Sequence, residues 1–234
     1  MHPYDHARSS ARIHGGVWQD YLALHAWFDA SKSVLCRFTH RALRHHLEGV
    51  AEAVFIFGAA IRNRNGVEID TVELGRQHLL EDCPRIVSAH DWLAGFDIPA
   101  WLPASIPDAD DLAGTSVMRF GGEKSHFLPL HRWFLATDSW TGGNGHLAFR
   151  HHAFGVFEAE ARFGPVIEIG CGKAVPTRVV AERHVTEVLG RIPPATEFLR
   201  RIKGERWMLQ ATSPRKLGLD QSPSSTFEEQ SHAA

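Results

Sequence analysis

The chain is short of cysteine. Its 234 residues include only three, Cys36, Cys83 and Cys171, and none stands at CxxC spacing. An odd, scattered set argues against a disulfide framework and for a reducing compartment. Long apolar runs are missing as well: no stretch approaches the ~20 residues that span a bilayer, and the opening Met1-His2-Pro3-Tyr4-Asp5-His6 lacks a signal-peptide pattern. An excess of one charge is also absent. The net charge of −2 offers no global positive field to nucleic acid or an anionic membrane. These absences predict a soluble, cytoplasmic protein with no membrane partner, and they argue against nucleic acid. What the chain has is core and histidine. Hydrophobic residues make up 44%, enough for a packed interior, and there are 16 histidines, far above ordinary usage.

The histidines repeat. His25, His40, His45, His46 and His78 recur as His131, His146, His151, His152 and His184, always at the same offset (131 − 25 = 106, and likewise for the others). Trp27/Phe28 return as Trp133/Phe134, and Phe57/Gly58 as Phe163/Gly164. The three cysteines have no counterparts at this offset, so they lie outside the duplicated design.

The pattern predicts a mainly α protein with small β-hairpins, built as two tandem helical modules packed as a pseudo-two-fold dimer. Residues 1–96 form the first module and 115–210 the second. Residues 97–114, rich in proline and aspartate, read as a linker, and 211–234 as a disordered tail. Within the first module, Pro3 opens a helix that runs to about Ile13 and is stopped by Gly15-Gly16, and a short helix follows at Asp20–Trp27. Asp29 or Ser31 is expected to cap one long helix ending at Phe57, with Leu35, Phe38, Ala42, Gly49, Ala53 and Phe57 along one side. Asn65-Gly66 marks a hairpin between Ile61 and Ile69, and Thr71 is expected to cap a helix over Val72–Asp82. The second module repeats this order, with Asn144 expected to cap the helix ending at Phe163 and a hairpin at Val166–Val175.

Histidine titrates near neutrality and binds metals most readily. At ~100° per residue, His40, His45 and His46 cannot meet at one ion from one straight helix. His46 lies on the stripe with Phe38, Ala42, Gly49 and Phe57 and is expected to point inward, whereas His45 falls among Arg41, Glu48 and Glu52. The expectation is that His25, His46 and His78 converge on a divalent transition metal, and that His131, His152 and His184 do the same. Three histidines with an open position suit zinc, and histidine with carboxylate suits iron or manganese. The plainer reading is that these histidines tie helices together by hydrogen bonds.

Asp29, four residues after His25, reads as ligand, orienting partner, general base or helix cap. Its counterpart is Leu135; Glu182 has Arg76 as its counterpart. Two unequal sites follow, one of them a candidate relic. Lys32, Arg37, Arg41 and Arg44 form a basic side that reads as an anion clamp or as a solvated face. His2, Asp5 and His6 precede the repeat and read as extra ligands closing over the first site or as an exposed terminus.

The first module resembles an uncharacterised histidine-rich domain family of bacteria and phages. The resemblance rests on His2-Pro3-x-Asp5-His6-Ala7, His25-x-Trp27-Phe28-Asp29-x-Ser31-Lys32 and His40-Arg41-x-x-x-His45-His46-x-x-Gly49, then Phe57-Gly58 and Gln77-His78-x-x-Glu81-Asp82. Arg76 departs from it where the family tends to have glutamate, and the second module departs at Leu135 and Asp138. The family brings no activity with it.

The functional expectation is a metal-dependent enzyme, most readily a hydrolase of a small phosphorylated or nucleotide-like substrate. The metal lowers the pKa of a bound water, Asp29 or His45 takes the proton, and Lys32 or Arg41 receives the anionic group. A non-catalytic metal- or histidine-stabilised interaction module and a non-haem iron oxidase or oxygenase are the alternatives.

Overall fold

The computed structural model describes residues 1–141 and 143–219. In the first module, α1 (Pro3–His14) and α2 (Trp18–Asp29) pack as an antiparallel pair. Gly15 and Gly16 turn the chain between them with positive φ, as the sequence implies. Two 3-10 turns follow (Ala30–Ser33, Phe38–Leu43), then α3 (Leu47–Phe57), the strands β1 (Ala60–Arg62) and β2 (Glu68–Asp70), α4 (Thr71–Asp82) and the short α5 (Ala89–Trp92). The strands pair antiparallel with Ile61 opposite Ile69. Asp70, rather than Thr71, caps α4 by accepting from the Val72 amide at 2.6 Å.

The second module has α6 (Ala109–Phe120), α7 (Lys124–Leu135), the short α8 (Asp138–Thr141) and α9 (Leu147–Arg150), then α10 (Ala153–Phe163). It continues with β3 (Val166–Glu168), β4 (Ala174–Pro176), α11 (Thr177–Leu189) and α12 (Thr196–Leu199). The offset of 106 carries Pro3 to Ala109, Trp18 to Lys124, Leu47 to Ala153 and Thr71 to Thr177, so the repeat holds element by element. It also holds in the core. Ala7, Tyr21, Leu24, Phe28, Val50, Ala53, Ile69, Leu74 and Leu79 form one buried cluster, and every one of them has its counterpart in the second. Two copies of one apolar pattern have built two copies of one interior.

Three expectations need correction. The linker is shorter than 97–114, because the Asp108 side chain accepts from the Asp110 and Asp111 amides and starts α6 there. The aspartate run reads as linker by composition, yet acidic residues suit the positive end of a helix. In the tail, 220–234 lies outside the described residues. Residues 211–219 return to the first module: the Thr212 amide donates to the Glu81 carbonyl at 2.7 Å, and Leu219 is buried. The long helix from Asp29 or Ser31 to Phe57 does not form. The chain breaks at Arg44–His46, and His46 takes an extended conformation to cap α3, its Nδ1 accepting from the Gly49 amide at 3.0 Å. The second copy breaks alike: His152 caps α10 through the Gly155 amide at 2.9 Å, and Asn144 opens only a 3-10 turn.

The modules meet across a reciprocal pair of arginines. Arg44 Nε donates to Glu158 at 2.8 Å and lies over the Trp27 ring, and Arg150 Nη2 donates to Glu52 at 2.8 Å and lies over the Trp133 ring. Each guanidinium also donates to the carbonyl of the tryptophan it covers. Glu52 and Glu158 are counterparts, as are Arg44 and Arg150, so the seam has the self-exchanging pattern of a two-fold interface within one chain.

The break depends on glycine. A Cβ at Gly49 would lie 2.0 Å from the Arg44 carbonyl oxygen, and one at Gly155 would lie 1.9 Å from that of Arg150. Gly49→Ala and Gly155→Ala are each expected to destabilise the fold by at least ~2 kcal/mol, read from urea denaturation midpoints. An unchanged midpoint would show that the turn tolerates a side chain.

Candidate metal centre

Each module carries a row of imidazoles across three helices or turns. In the first, Ser10 Oγ lies 2.9 Å from His25 Nε2, His25 Nδ1 lies 3.0 Å from His78 Nδ1, and His78 Nε2 lies 3.0 Å from His45 Nε2. In the second, Ser116, His131, His184 and His151 repeat the row at 2.9, 2.8 and 3.1 Å. All six rings are buried. His25 comes from α2, His78 from α4, and His45 from the break before α3, where its carbonyl accepts from Trp92 Nε1 at 3.0 Å.

Only the first module adds carboxylates. Asp29 at the end of α2 and Asp82 at the end of α4 stand four residues after His25 and His78, one helical turn on. Asp82 Oδ2 lies 3.2 Å and Asp29 Oδ1 3.5 Å from His45 Nε2. Asp29, His45, His78 and Asp82 each bring one ligand atom within 4.8 Å of the other three, and His6, His25 and His78 do the same. Asp29 Oδ1, Asp82 Oδ2 and His6 Nε2 are buried without a hydrogen-bond partner. Buried polar atoms are rarely left so. Two imidazoles and two carboxylates form a donor set that suits zinc, iron or manganese.

Positive groups surround the carboxylates. Lys32 Nζ lies 2.7 Å from Asp29 Oδ2, Arg41 Nη2 lies 3.3 Å from Asp82 Oδ2, and the Met1 amino group lies 2.7 Å from Asp82 Oδ1. Lys32 keeps 34% of its side chain exposed, so it marks the side of the group nearest solvent. His6 Nδ1 is fixed by Glu81 at 2.6 Å, and Glu81 is held in turn by Ser9 and Gln77.

His25 and His78 meet, with His45 rather than His46 as the third ring. His46 and His152 are corrected as ligands: with Nδ1 used as caps, neither belongs to a metal-capable group among the described residues. His45 rather than His46 reaches the pair because the single helix expected to carry both is broken at Arg44–His46. His131 and His184 meet each other and His151, but with no carboxylate. Asp29 is not a cap; no side-chain capping bond forms there. Arg41 is no anion clamp. It is buried, and its Nη1 donates to the carbonyls of Asp82 and Met208 at 2.9 and 3.0 Å. Lys32 is engaged with Asp29 and with the Met1 carbonyl. Glu182 is half-buried and pairs with Arg178. Of the opening residues, His2 caps α1, while His6 is buried at the centre. Sequence reasoning missed Asp82 and Glu81. The spacing His78-x-x-x-Asp82 repeats His25-x-x-x-Asp29, and both acids have apolar counterparts, Leu135 and Val188. That shared loss was the signal for Asp82.

Burial sets the protonation of the rings. It pushes His25, His78, His151 and His184 well below their ordinary value, His131 and His152 to about 4, and His40 to about 3. Burial also opposes a charged Asp29, but His45 and Lys32 outweigh it and bring that carboxyl to about 2. Burial raises Asp82, and the nearby His45 and His6 rings more than reverse this. A carboxyl at about 2 is a poor proton acceptor near neutrality, which favours Asp29 as ligand over base.

For the histidines the folded pKa lies below the unfolded one. Their contribution is therefore full above pH 6.5 and lost as the pH falls through about 4, while Asp29 contributes above about 4 and fails only toward 2. His6, raised by Asp82 and Glu81 against its burial, runs the other way but is one group against several. In chelator, the urea midpoint is expected to drop steeply between pH 6.5 and 4; a flat profile over that range would contradict the buried neutral rings.

The pattern of one family, described as Domain of unknown function (DUF6915), matches the chain twice, at residues 1–102 and 109–208. No curated protein and no solved structure matches it. No helix among the described residues is long and apolar enough to cross a membrane. The second match begins where Asp108 starts α6, so the duplicated row of imidazoles sits inside two tandem copies of that domain, and the chain belongs to the DUF6915 family.

Proposed function

We propose that this chain is a metal-dependent protein with one working centre, in the first module. Asp29, His45, His78 and Asp82 hold a divalent transition metal there, and the second module is a metal-free copy. One observation carries the reading. The positions of His6, Asp29, Arg41 and Asp82 are taken in the second module by Leu112, Leu135, Leu147 and Val188, which pack together as an apolar cluster. The same fold therefore forms around hydrocarbon at this place. Buried charges are costly, and replacing such a set by packed apolar residues is often neutral or stabilising. Keeping them in one copy points to binding rather than folding.

The reaction that suits this centre is hydrolysis by an ion-activated water, with a small anionic substrate reaching it past Lys32. The partial exposure of Lys32 supports that route. His45 faces the ion as a ligand in this reading, and Arg41 fixes Asp82. A phosphoester screen with Lys32→Ala as control tests the catalytic step, and loss of turnover in that variant is the expected result. A protein that binds metal yet turns over no phosphoester in the screen is the interaction module instead.

Elemental analysis of the purified protein is expected to find zinc, iron or manganese. The quadruple variant His6→Leu, Asp29→Leu, Arg41→Leu, Asp82→Val imports the second module's set. It is expected to lose the metal and to be more stable than Asp82→Val alone, because Arg41 leaves together with its carboxylate. Asp82→Val alone leaves Arg41 unpaired and is expected to cost about 3–5 kcal/mol. Metal retained in the quadruple variant would end the assignment.

A further inference from the structure

Beside the proposed centre lies a second set of rings, of which that centre uses only His78. His6 Nε2 is buried, has no hydrogen-bond partner and lies 3.4 Å from Asp82 Oδ1. His6 and His78 stack tilted with centroids 4.0 Å apart, and His25 Nδ1 approaches His78 Nδ1 at 3.0 Å. The remaining nitrogens of His6 and His25 are tied back, His6 Nδ1 by Glu81 at 2.6 Å and His25 Nε2 by Ser10 at 2.9 Å. Metal-bound imidazoles are oriented in this way by a carboxylate or hydroxyl on the other nitrogen.

Two residues face both sets. His78 directs Nε2 toward His45 and Nδ1 toward His25. Asp82 directs Oδ2 toward His45 and Oδ1 toward His6. The second module again serves as the comparison. His131 and His184 keep the same contact at 2.8 Å, but Leu112 stands where His6 would be, and Val188 replaces Asp82. The pair of rings therefore forms without an ion, and the groups that would complete a site are those found only in the first module.

We propose, building on the metal reading above, that the first module is a two-metal centre: His6, His25 and His78 hold a second ion, with Asp82 and His78 shared between the two. The donors of this second site are mainly imidazole, which suits zinc, copper or nickel. An ion there displaces the proton now shared by the facing nitrogens of His25 and His78; that proton leaves to solvent, and His78, bound through both nitrogens, is then an imidazolate. The ion enters next to a first cation and near Arg41, Lys32 and the Met1 amino group, so it binds more weakly than the first.

Metal-stripped full-length protein titrated calorimetrically with zinc tests this, with the quadruple variant as baseline for surface histidines. The wild type is expected to take up two ions above that baseline, the second more weakly. His6→Gln, whose amide can still bond Glu81, is expected to take up one. Asp29→Asn is expected to lose the tighter event and keep the weaker. Cobalt in place of zinc is expected to give an electron paramagnetic resonance signal that weakens as the second equivalent couples to the first. One ion in the wild type, with His6→Gln unchanged, would overturn the second site and leave the first standing; no ion above baseline would overturn both.

Discussion

Nothing else in this protein constrains it as much as three buried imidazoles placed in a row inside each module. A neutral ring has one donor and one acceptor, and a buried one must find partners for both. The rings find each other. In the first module the acids set the direction of the row, because carboxylates only accept. Without an ion, the His45 Nε2 proton faces Asp82 and His78 Nε2; His78 then donates from Nδ1 to His25, His25 donates from Nε2 to Ser10, and Ser10 donates to Gln77 Oε1 at 3.1 Å. That sequence leaves the His78 Nε2 lone pair turned toward the carboxylates, with its other nitrogen already backed. The ring thus stands ready as a donor for the proposed centre.

The duplicated chain separates what the fold needs from what it carries. Both copies keep the row, the capping His46 and His152, and the glycine packed on an arginine carbonyl. These belong to the architecture: without the break at Arg44–His46, His45 could not reach α4. The copies part company at His6, Asp29, Arg41 and Asp82, where one has ionisable groups and the other hydrocarbon. A structural role for the charged set would have to explain how its twin dispenses with all of it.

Much of this was legible in the sequence. The offset between histidines gave the two modules, Asn65-Gly66 gave the first hairpin, and Pro3 and Gly15-Gly16 bounded α1. His25 and His78 were read as converging, and they do. The third ring was misplaced because the apolar stripe from Leu35 to Phe57 fits a helix period although the chain does not follow it. Periodicity records which residues are buried, whereas the break depends on a contact, Gly49 on the Arg44 carbonyl, that becomes visible only once the chain has turned. The burial of Arg41 was hidden for a related reason. Its partners, the Asp82 and Met208 carbonyls, lie 41 and 167 residues away.

Those distant partners bear on why the apolar copy persists. The chain leaving the second module crosses back over the first. Met208 there accepts from Arg41, Thr212 donates to the carbonyl of Glu81, and Leu219 accepts from Arg8. The segment thus holds both the cation beside Asp82 and the acid behind His6. Its position is set by the second module, through the seam in which Arg44 grips Glu158 and Arg150 grips Glu52. A module carrying several buried charges is poorly served by its own core, since each charge must be kept paired to be tolerated. The apolar twin carries no such load at the matching place. By docking through the seam and returning its C-terminal strand of chain, it supplies the rigidity and the backbone acceptors that the charged copy lacks.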